Sequence, residues 1–302
     1  MGQYKATRKP VAQIGAELGV SSVLEGSVRK SGDQLRITVQ LIDVASDEHR
    51  WAKTYERKLA NIFAIQAEVA EETANSLRVE LLKSEIENIR ERPTSNLAAY
   101  EAYLRGVRAF QDATMSLRSA DEDRVAISHF ETAIREDPGF SAAHSYLANY
   151  LLGILGQTRP AKDVVPRARE LATRALELNP NSADAHTALG NLALQGDQNW
   201  TRAEAEFREA LRLNPSSSSA HFWFALLLAT LQRPEECATH IRSAIDLDPL
   251  LIHPRLLEIS MASAYGEVQT SVSLAEGLWS SFGENIATRG ALAWAYTLDG
   301  RE

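Results

Sequence analysis

The spacing of hydrophobic residues changes once along the chain, from a period of two to a period of three or four. In the segment 34–44 every second side chain is apolar, and these residues are Leu35, Ile37, Val39 and Leu41. Alternation of this kind predicts a strand with one buried face. We expect strands at 22–30, 34–44 and 49–57, a short helix at 11–18 before them, and a longer helix from about residue 61 after them.

Downstream of residue 96 the apolar and small residues recur at steps of three and four, which predicts a series of amphipathic helices. The inner face of one such helix would consist of His186, Leu189, Gly190 and Ala193. The inner face of the next would consist of Ala203, Phe207 and Ala210. Small residues allow neighbouring helices to approach closely, and the aromatic ring fills the space between them. The pattern therefore predicts helices packed in pairs.

Two sequence markers repeat in phase within this helical part. Four segments end in a proline that follows Asp or Asn, at Pro138, Pro180, Pro215 and Pro249, with spacings of 42, 35 and 34 residues. An Ala-His pair follows each of the first three prolines at the same distance, with the histidines at His144, His186 and His221. Proline should end a helix because it moves the preceding residue out of the helical conformation. The shared phase indicates a repeated unit of two helices.

This unit resembles the tetratricopeptide repeat. One unit fits the family pattern without gaps, through His221, Phe224, Ala225, Leu228, Cys237, Ile241, Ala244 and Pro249. The preceding unit needs one extra residue near 198–200, and the unit before that needs more near 160–166, where two prolines should bracket the turn. The remaining helices are expected at 97–115, 120–136, 254–266, 268–282 and 286–298. Stacked units of this family bury a continuous core that no single repeat could bury.

The first part of the chain resembles a bacterial domain, the TolB-amino-terminal-like or FlgO-like domain. The resemblance rests on the run LGVSSVLEGSVRKSGDQLRITVQLIDVASDEHRWAKTYER and on IFAIQAEVAEETANSL. In that family the domain lies directly before tetratricopeptide repeats. The parent signalling proteins carry a class III adenylate/guanylate cyclase domain, a CadC-type winged-helix DNA-binding domain or a serine/threonine kinase domain. The family domain begins with a further strand and helix that are missing here, so we expect a piece of a longer protein.

The predicted fold class is mainly α, a tetratricopeptide α-solenoid preceded by a small, incomplete α/β domain with a three-stranded antiparallel meander. The α/β domain should cover residues 1–92. The repeat array should cover residues 93–302, with about five helix pairs and a truncated last one. A hinge is expected at 91–96, where the sequence reads ERPTSN.

Charge narrows the choice of partner. The 302 residues carry a net charge of −8, with 14 basic and 14 acidic residues in 1–92 but 18 basic and 26 acidic residues in 93–302. An acidic array disfavours nucleic acid, because phosphate contacts need a cationic face. The apolar runs are too short to span a bilayer. We predict a protein or peptide partner, with self-association as a further option, and a cytoplasmic location, or a periplasmic one in a membrane-anchored parent.

The sequence contains no motif typical of a catalytic site: no phosphate-binding P-loop, no HExxH, no GxSxG and no dinucleotide-binding glycine pattern. Histidines one repeat apart should be separated by roughly 10 Å, which is too far for one metal ion. Cys237 takes a position where the repeat family has alanine, so we expect a buried apolar residue. The acidic runs at 121–123 and 235–236 should be solvated charges at helix starts. We predict a chain without catalytic activity, cofactor or metal.

The remaining candidate site is the groove that the first helix of each pair lines in the repeat family. By position, its residues are Ser145, Asn149, Leu152, Asp184, Thr187, Asn191, Leu194, Gln195, Phe222, Leu226 and Thr230. Asn149 and Asn191 are equivalent, and an amide can both donate to and accept from a peptide backbone. Some relatives clamp a carboxylate with a basic residue four positions after the asparagine. Gly153 and Gln195 stand there, so a carboxylate clamp is not expected.

Two functional readings follow. The first is a non-catalytic protein–protein interaction module, acting as the scaffold or sensory part of a bacterial signalling protein. The alternative is a regulatory region of a parent nucleotide cyclase, kinase or winged-helix regulator whose active domain lies upstream of this chain. A structural role, in which the sheet edge and the last helix mediate self-association, stays open as well.

Overall fold

The computed structural model describes residues 9–58, 62–77, 93–115, 120–154 and 160–300, without the side chains of 62, 63 and 111–115. It divides the chain into two compact units, Met1–Arg92 and Pro93–Glu302.

The first unit contains an antiparallel sheet in the order β1-β2-β3, flanked by two helices. The elements are α1 (Val11–Leu18), β1 (Ser22–Ser31), β2 (Gln34–Asp43), β3 (His49–Lys58) and α2 (Ile62–Ser76). The predicted meander is confirmed. Gly32 has a φ of 62° in the turn between β1 and β2, a conformation that glycine adopts without steric strain.

One face of β2 forms the core of this unit, as the alternating pattern predicted. Leu35, Ile37 and Val39 are buried together with Tyr55 of β3 and Ile65 of α2. Glu72 of α2 accepts a hydrogen bond from the indole of Trp51 at 3.0 Å, which ties the helix to β3.

The second unit is a succession of helices. They are α3 (Leu97–Met115), α4 (Ala120–Glu136), α5 (Ser141–Gly153), α6 (Ala161–Leu178), α7 (Ala183–Asn191), α8 (Trp200–Leu213), α9 (Ser218–Thr230), α10 (Pro234–Leu247), α11 (Ile252–Ala264), α12 (Val268–Phe282) and α13 (Ile286–Asp299). Each helix packs against the next in sequence. In addition, α3, α5, α7, α9, α11 and α13 pack side by side, and we call these the first-helix layer. The predicted solenoid is therefore confirmed.

The helix pairs are held together by contacts between an aromatic ring and a small residue. A Cβ atom on Gly106 would lie 2.8 Å from the ring of Phe130, and one on Gly190 would lie 2.6 Å from the ring of Phe207. Both rings are fully buried. Because a side chain larger than hydrogen would overlap the ring, glycine sets how closely the two helices of a pair approach.

The extra residue predicted near 198–200 is absorbed by a change of helix type. After α7 the chain continues as a π-helical turn, Leu192–Gly196. The amide of Asp197 bonds the carbonyl of Leu192 at 3.0 Å, five residues back. A π-turn accommodates one additional residue in a helix, so the insertion leaves the packing of α7 against α8 intact.

One local prediction needs correction. Pro166 lies inside α6 and does not bracket a turn with Pro160. Proline has no N–H group, so Pro166 cannot donate to the carbonyl of Lys162, four residues back. Lys162 is exposed near the start of the helix, where water can bond that carbonyl. The described part of the predicted hinge, 93–96, is fixed to the second unit, because the Thr94 hydroxyl bonds Asp137 at 2.5 Å and the Asn96 amide bonds the Glu136 carbonyl at 2.8 Å.

Candidate binding surface on the first-helix layer

The structure buries five of the eleven predicted groove residues. These are Ser145, Leu152, Thr187, Asn191 and Leu194, with exposures between 0% and 8%. Ser145 and Thr187 donate hydrogen bonds to carbonyls four residues back in their own helices. Their hydroxyls are thus used inside the protein, and the five residues offer almost no accessible surface to a ligand.

The other six predicted residues reach the surface. Asn149, Asp184, Gln195, Phe222 and Leu226 are half-buried, and Thr230 is exposed. They belong to α5, α7 with its π-turn, and α9, which are neighbours in the first-helix layer. The accessible part of the predicted groove therefore extends across three successive repeats.

Amide groups occupy the middle of this surface. Gln195 donates to the side-chain oxygen of Asn191 at 2.5 Å and to the Leu152 carbonyl at 3.4 Å. The Nδ2 atom of Asn191 and the Oδ1 atom of Asn149 are buried, and neither has a hydrogen-bond partner among the residues that the structure describes. An unsatisfied buried polar atom costs about 1–3 kcal/mol. One unused donor and one unused acceptor therefore lie at equivalent positions of adjacent repeats.

An aromatic patch lies on α9 and the start of α11. The ring of Phe222 lies 5.0 Å from that of Trp223 and 5.7 Å from that of His253. Phe222 and Trp223 are half-buried, so part of each ring is accessible. A surface of this kind suits the apolar part of a peptide side chain.

A second aromatic cluster, absent from the predictions, lies where the first repeat meets the second. Tyr103 of α3 packs against Tyr146 of α5, with ring centres 5.2 Å apart and planes at 84°. The ring centre of Tyr103 lies 6.1 Å from that of Tyr100 and 5.1 Å from that of the buried Phe140. The three tyrosines are half-buried. The first repeat departs most from the family pattern, so its ligand-facing positions could not be assigned from the sequence.

Asp184, at the start of α7, belongs electrostatically to this tyrosine cluster. Its negative charge is the main reason why the pKa of Tyr146 is raised, and burial adds to the effect. Burial is the main cause of the raised pKa of Tyr103, to which Tyr146 and Asp184 also contribute. Burial likewise raises the pKa of Asp184. The carboxyl group makes no hydrogen bond or ion pair with any residue that the structure describes.

Histidines form pairs within single repeats and do not converge between repeats. Nδ1 of His186 lies 2.8 Å from Glu206, and Nδ1 of His221 lies 2.8 Å from Nδ1 of His240. Within the described residues there is no group of three or more His, Cys, Asp or Glu that could hold a metal ion. Cys237 is fully buried, in agreement with the prediction, and burial raises its pKa to about 11.

One acidic residue was assigned wrongly from the sequence. Asp123 was expected among solvated charges at a helix start, but only 1% of it is exposed. It accepts a hydrogen bond from the Tyr150 hydroxyl at 2.6 Å, which links α4 to α5. No sequence signal distinguished it from Asp121 and Glu122, which are exposed.

Across residues 9–58, 62–77, 93–115, 120–154 and 160–300, every helix is too short or too polar to cross a membrane.

One curated protein is similar to part of this chain. The chain is 33% identical over 203 residues to "Putative adenylate cyclase 3" of Rhizobium meliloti (strain 1021). The match covers 67% of this chain and 34% of that protein. The chain thus spans about a third of the length of this relative.

Solved structures with similar helical arrays are tetratricopeptide-repeat proteins. TTC0263 of Thermus thermophilus matches with a TM-score of 0.54 and 17% identity, over 66% of this chain and all of that one. A tetratricopeptide repeat protein from Parabacteroides merdae ATCC 43184 matches with a TM-score of 0.43 and 15% identity, over 67% and 75%. The tetratricopeptide repeat family model matches residues 192–251. Residues 192–251 therefore match the tetratricopeptide repeat, and the helical part of this chain has the fold of a tetratricopeptide-repeat solenoid.

Proposed function

We propose that this chain is a non-catalytic interaction module of a bacterial signalling protein, and that it binds a protein or peptide segment across the first-helix layer. Tetratricopeptide-repeat proteins bind protein or peptide partners. The observation that carries the proposal is that Asn149, Asp184, Gln195, Phe222 and Leu226 are each partly accessible on three neighbouring helices. It places the half-buried amides of Asn149 and Gln195 and the half-buried ring of Phe222 on one layer of helices. Amides and aromatic rings are the two kinds of group that recognise an extended peptide.

The proposal can be tested without a known partner. Peptides would be selected from a random decapeptide library on the purified chain and measured by fluorescence anisotropy. We expect binding that weakens at least tenfold when Asn149 and Phe222 are both changed to alanine. The control variant changes Glu131 and Arg242, which are exposed on second helices, and should bind as the parent chain does. Equal affinity of both variants would show that the peptides bind elsewhere.

A second candidate function is regulation of a nucleotide cyclase in a longer parent protein. The relative named as a putative adenylate cyclase supports it, since this chain spans only a third of that protein. The resemblance to the TolB-amino-terminal-like domain supports the same setting, with a kinase or a winged-helix regulator as the other front ends. The upstream coding sequence tests this directly: a cyclase domain would show paired metal-binding aspartates, and a winged-helix domain would show a basic recognition helix. We place the array in the cytoplasm, beside such an output domain.

A further inference from the structure

The tyrosine cluster beside Asp184 has a composition that selects for one type of charge. Tyr100 and Tyr103 come from α3, Tyr146 from α5 and Asp184 from α7. The three rings do not form one stack: Tyr100 and Tyr103 are inclined by 25°, whereas Tyr103 and Tyr146 meet edge to face at 84°. The cluster is therefore built by three adjacent helices of the first-helix layer, with ring surfaces in two orientations.

Asp184 differs from the ion-paired carboxylates of the array. Glu204, for example, bonds Arg208 and Arg233, and Asp197 is paired with Arg169. Asp184 is half-buried, yet it has no such partner among the described residues. Placing a carboxylate in a partly desolvated position without a counter-charge is unfavourable, and the raised pKa of Asp184 expresses this. A cation that binds in the cluster would give the Asp184 carboxylate the counter-charge that it lacks among the described residues.

Acidic, apolar and cationic side chains of a peptide are not equally suited to this position. An acidic group would be repelled by Asp184. An apolar group would exclude water and leave the carboxylate buried without a partner, which is costly. A cationic group would pair with the carboxylate and contact the tyrosine rings, each cation–π contact contributing about 0.5–2 kcal/mol. The net charge of the chain, −8 and confined to residues 93–302, attracts the same class of ligand.

We infer that Tyr100, Tyr103, Tyr146 and Asp184 form a subsite for the cationic side chain, lysine or arginine, of the segment that binds the first-helix layer. The inference rests on the proposed peptide-binding function and specifies its chemistry. It also fixes where along the array the cationic residue binds, at α3, α5 and α7, with the aromatic contact of Phe222 on the neighbouring helix α9.

Small probes test the subsite independently of any peptide. The full chain, labelled with 15N, would be titrated with N-acetyl-lysine methylamide, N-acetyl-arginine methylamide and the neutral analogue N-acetyl-norleucine methylamide. We expect the two cationic probes to shift the amide signals of α3, α5 and α7 at millimolar concentration. The norleucine probe should bind at least fivefold more weakly. The lysine and arginine titrations together show which cation fits better. Equal binding of the norleucine probe would overturn the inference.

A pair of charge-matched variants isolates the carboxylate. Asp184→Asn keeps the shape of the side chain and removes its charge, and Asp246→Asn removes one charge from an exposed position on α10. We expect the affinity for the lysine probe to fall at least fivefold in Asp184→Asn and to stay unchanged in Asp246→Asn. Equal affinities in the two variants would overturn the inference. Helical circular dichroism of both variants shows that the comparison is made on folded protein.

The selected decapeptides separate this inference from the proposed function. If peptides bind the first-helix layer but carry no excess of lysine or arginine and keep their affinity in Asp184→Asn, the groove function stands and the cationic subsite is wrong. If no peptide binds the layer but the lysine probe still binds in an Asp184-dependent manner, the subsite stands and the peptide-binding function is wrong. If peptides bind with a required lysine or arginine, both are supported.

Discussion

The Nε2 atom of His221 lies 3.0 Å from the carbonyl oxygen of Pro215. The same contact joins His186 to Pro180 at 3.4 Å and His144 to Pro138 at 3.2 Å. A carbonyl oxygen only accepts, so Nε2 carries the hydrogen in each case. The two sequence markers stay in phase because they are the two ends of one hydrogen bond, which fixes the turn after one repeat to the first helix of the next.

His186 is the histidine of this set whose pKa is raised. Its Nε2 faces the Pro180 carbonyl and its Nδ1 faces the Glu206 carboxylate, so both ring nitrogens have acceptors as neighbours. The hydrogen bond with Glu206 is the main cause of its raised pKa. The stabilisation is then fully present below the pKa of an unfolded histidine and is lost as the pH rises through the folded value.

We therefore predict that His186 makes the array less stable at pH 8.5 than at pH 6. Urea unfolding followed by circular dichroism at the two pH values measures the difference. The matched variant is Glu206→Gln, which should lose most of this dependence because the amide no longer favours the imidazolium. An NMR titration that gives His186 a pKa below that of an unperturbed histidine would contradict the prediction.

His240 should have the opposite effect in the repeat that follows. Its Nδ1 lies 2.8 Å from Nδ1 of His221, whose Nε2–H is directed at Pro215, so His221 accepts and His240 donates. Burial first, and then the neighbouring His221, lower the pKa of His240 to about 4. Between about pH 6.5 and pH 4, His240 therefore binds a proton in the unfolded chain but not in the folded chain. The free energy of unfolding falls as the pH falls through this range.

The predicted loss is at most about 1.4 kcal/mol per pH unit. His240→Gln should be less sensitive to acid between pH 6.5 and 5 than the parent chain, whereas His129→Gln, a histidine change on α4, should behave as the parent does. Midpoints of urea unfolding at the two pH values provide the test. If His240→Gln and His129→Gln lose equal stability on acidification, the His221–His240 contact is not the source of the effect.

Much of this fold can be predicted from residue spacing alone. The alternation in β2 gave the buried face of the sheet, because a strand places every second side chain on one side. The phase of the histidine and proline markers gave the repeat boundaries. Helix positions after residue 249 needed only small changes, since α11 begins at Ile252 where 254 was expected.

The accessible site was harder to predict, for two physical reasons. Position in a helix gives the direction of a side chain but not how closely the next repeat covers it, so Thr187 and Asn191 were assigned to a surface and are buried. The tyrosine cluster depends on contacts between repeats, and in the first repeat the family residues that mark those contacts are missing. The burial of Asp123 likewise depends on a hydrogen bond with Tyr150, which is 27 residues away in sequence. The residues around Asp123 do not predict this contact.

Gly190 should be far less tolerant of substitution than Gly277. A Cβ atom at Gly190 would lie 2.6 Å from the buried ring of Phe207, whereas at Gly277, inside α12, it would meet nothing within 4 Å. We predict that Gly190→Ala destabilises the protein by about 1–3 kcal/mol, because the helices must separate. Gly277→Ala should stabilise it by about 0.5–1 kcal/mol, because alanine restricts the unfolded chain. Thermal and urea unfolding compare the two, and loss of stability at both positions would contradict the packing argument.

The hydrogen bond between Tyr150 and Asp123 should contribute strongly to the stability of the first two repeats. Both residues are 1% exposed, and the hydroxyl donates to the carboxylate at 2.6 Å. Tyr150→Phe keeps the ring in place and removes only this donor, so a buried carboxylate oxygen loses a partner, at a cost of about 1–3 kcal/mol. The control is Tyr265→Phe, which removes a hydroxyl from a residue that is 52% exposed and should change stability by less than about 0.5 kcal/mol. Hydrogen exchange of α4 and α5 should quicken in Tyr150→Phe while that of α11 and α12 stays the same. A uniform change along the array would mean that the bond does not act locally between α4 and α5.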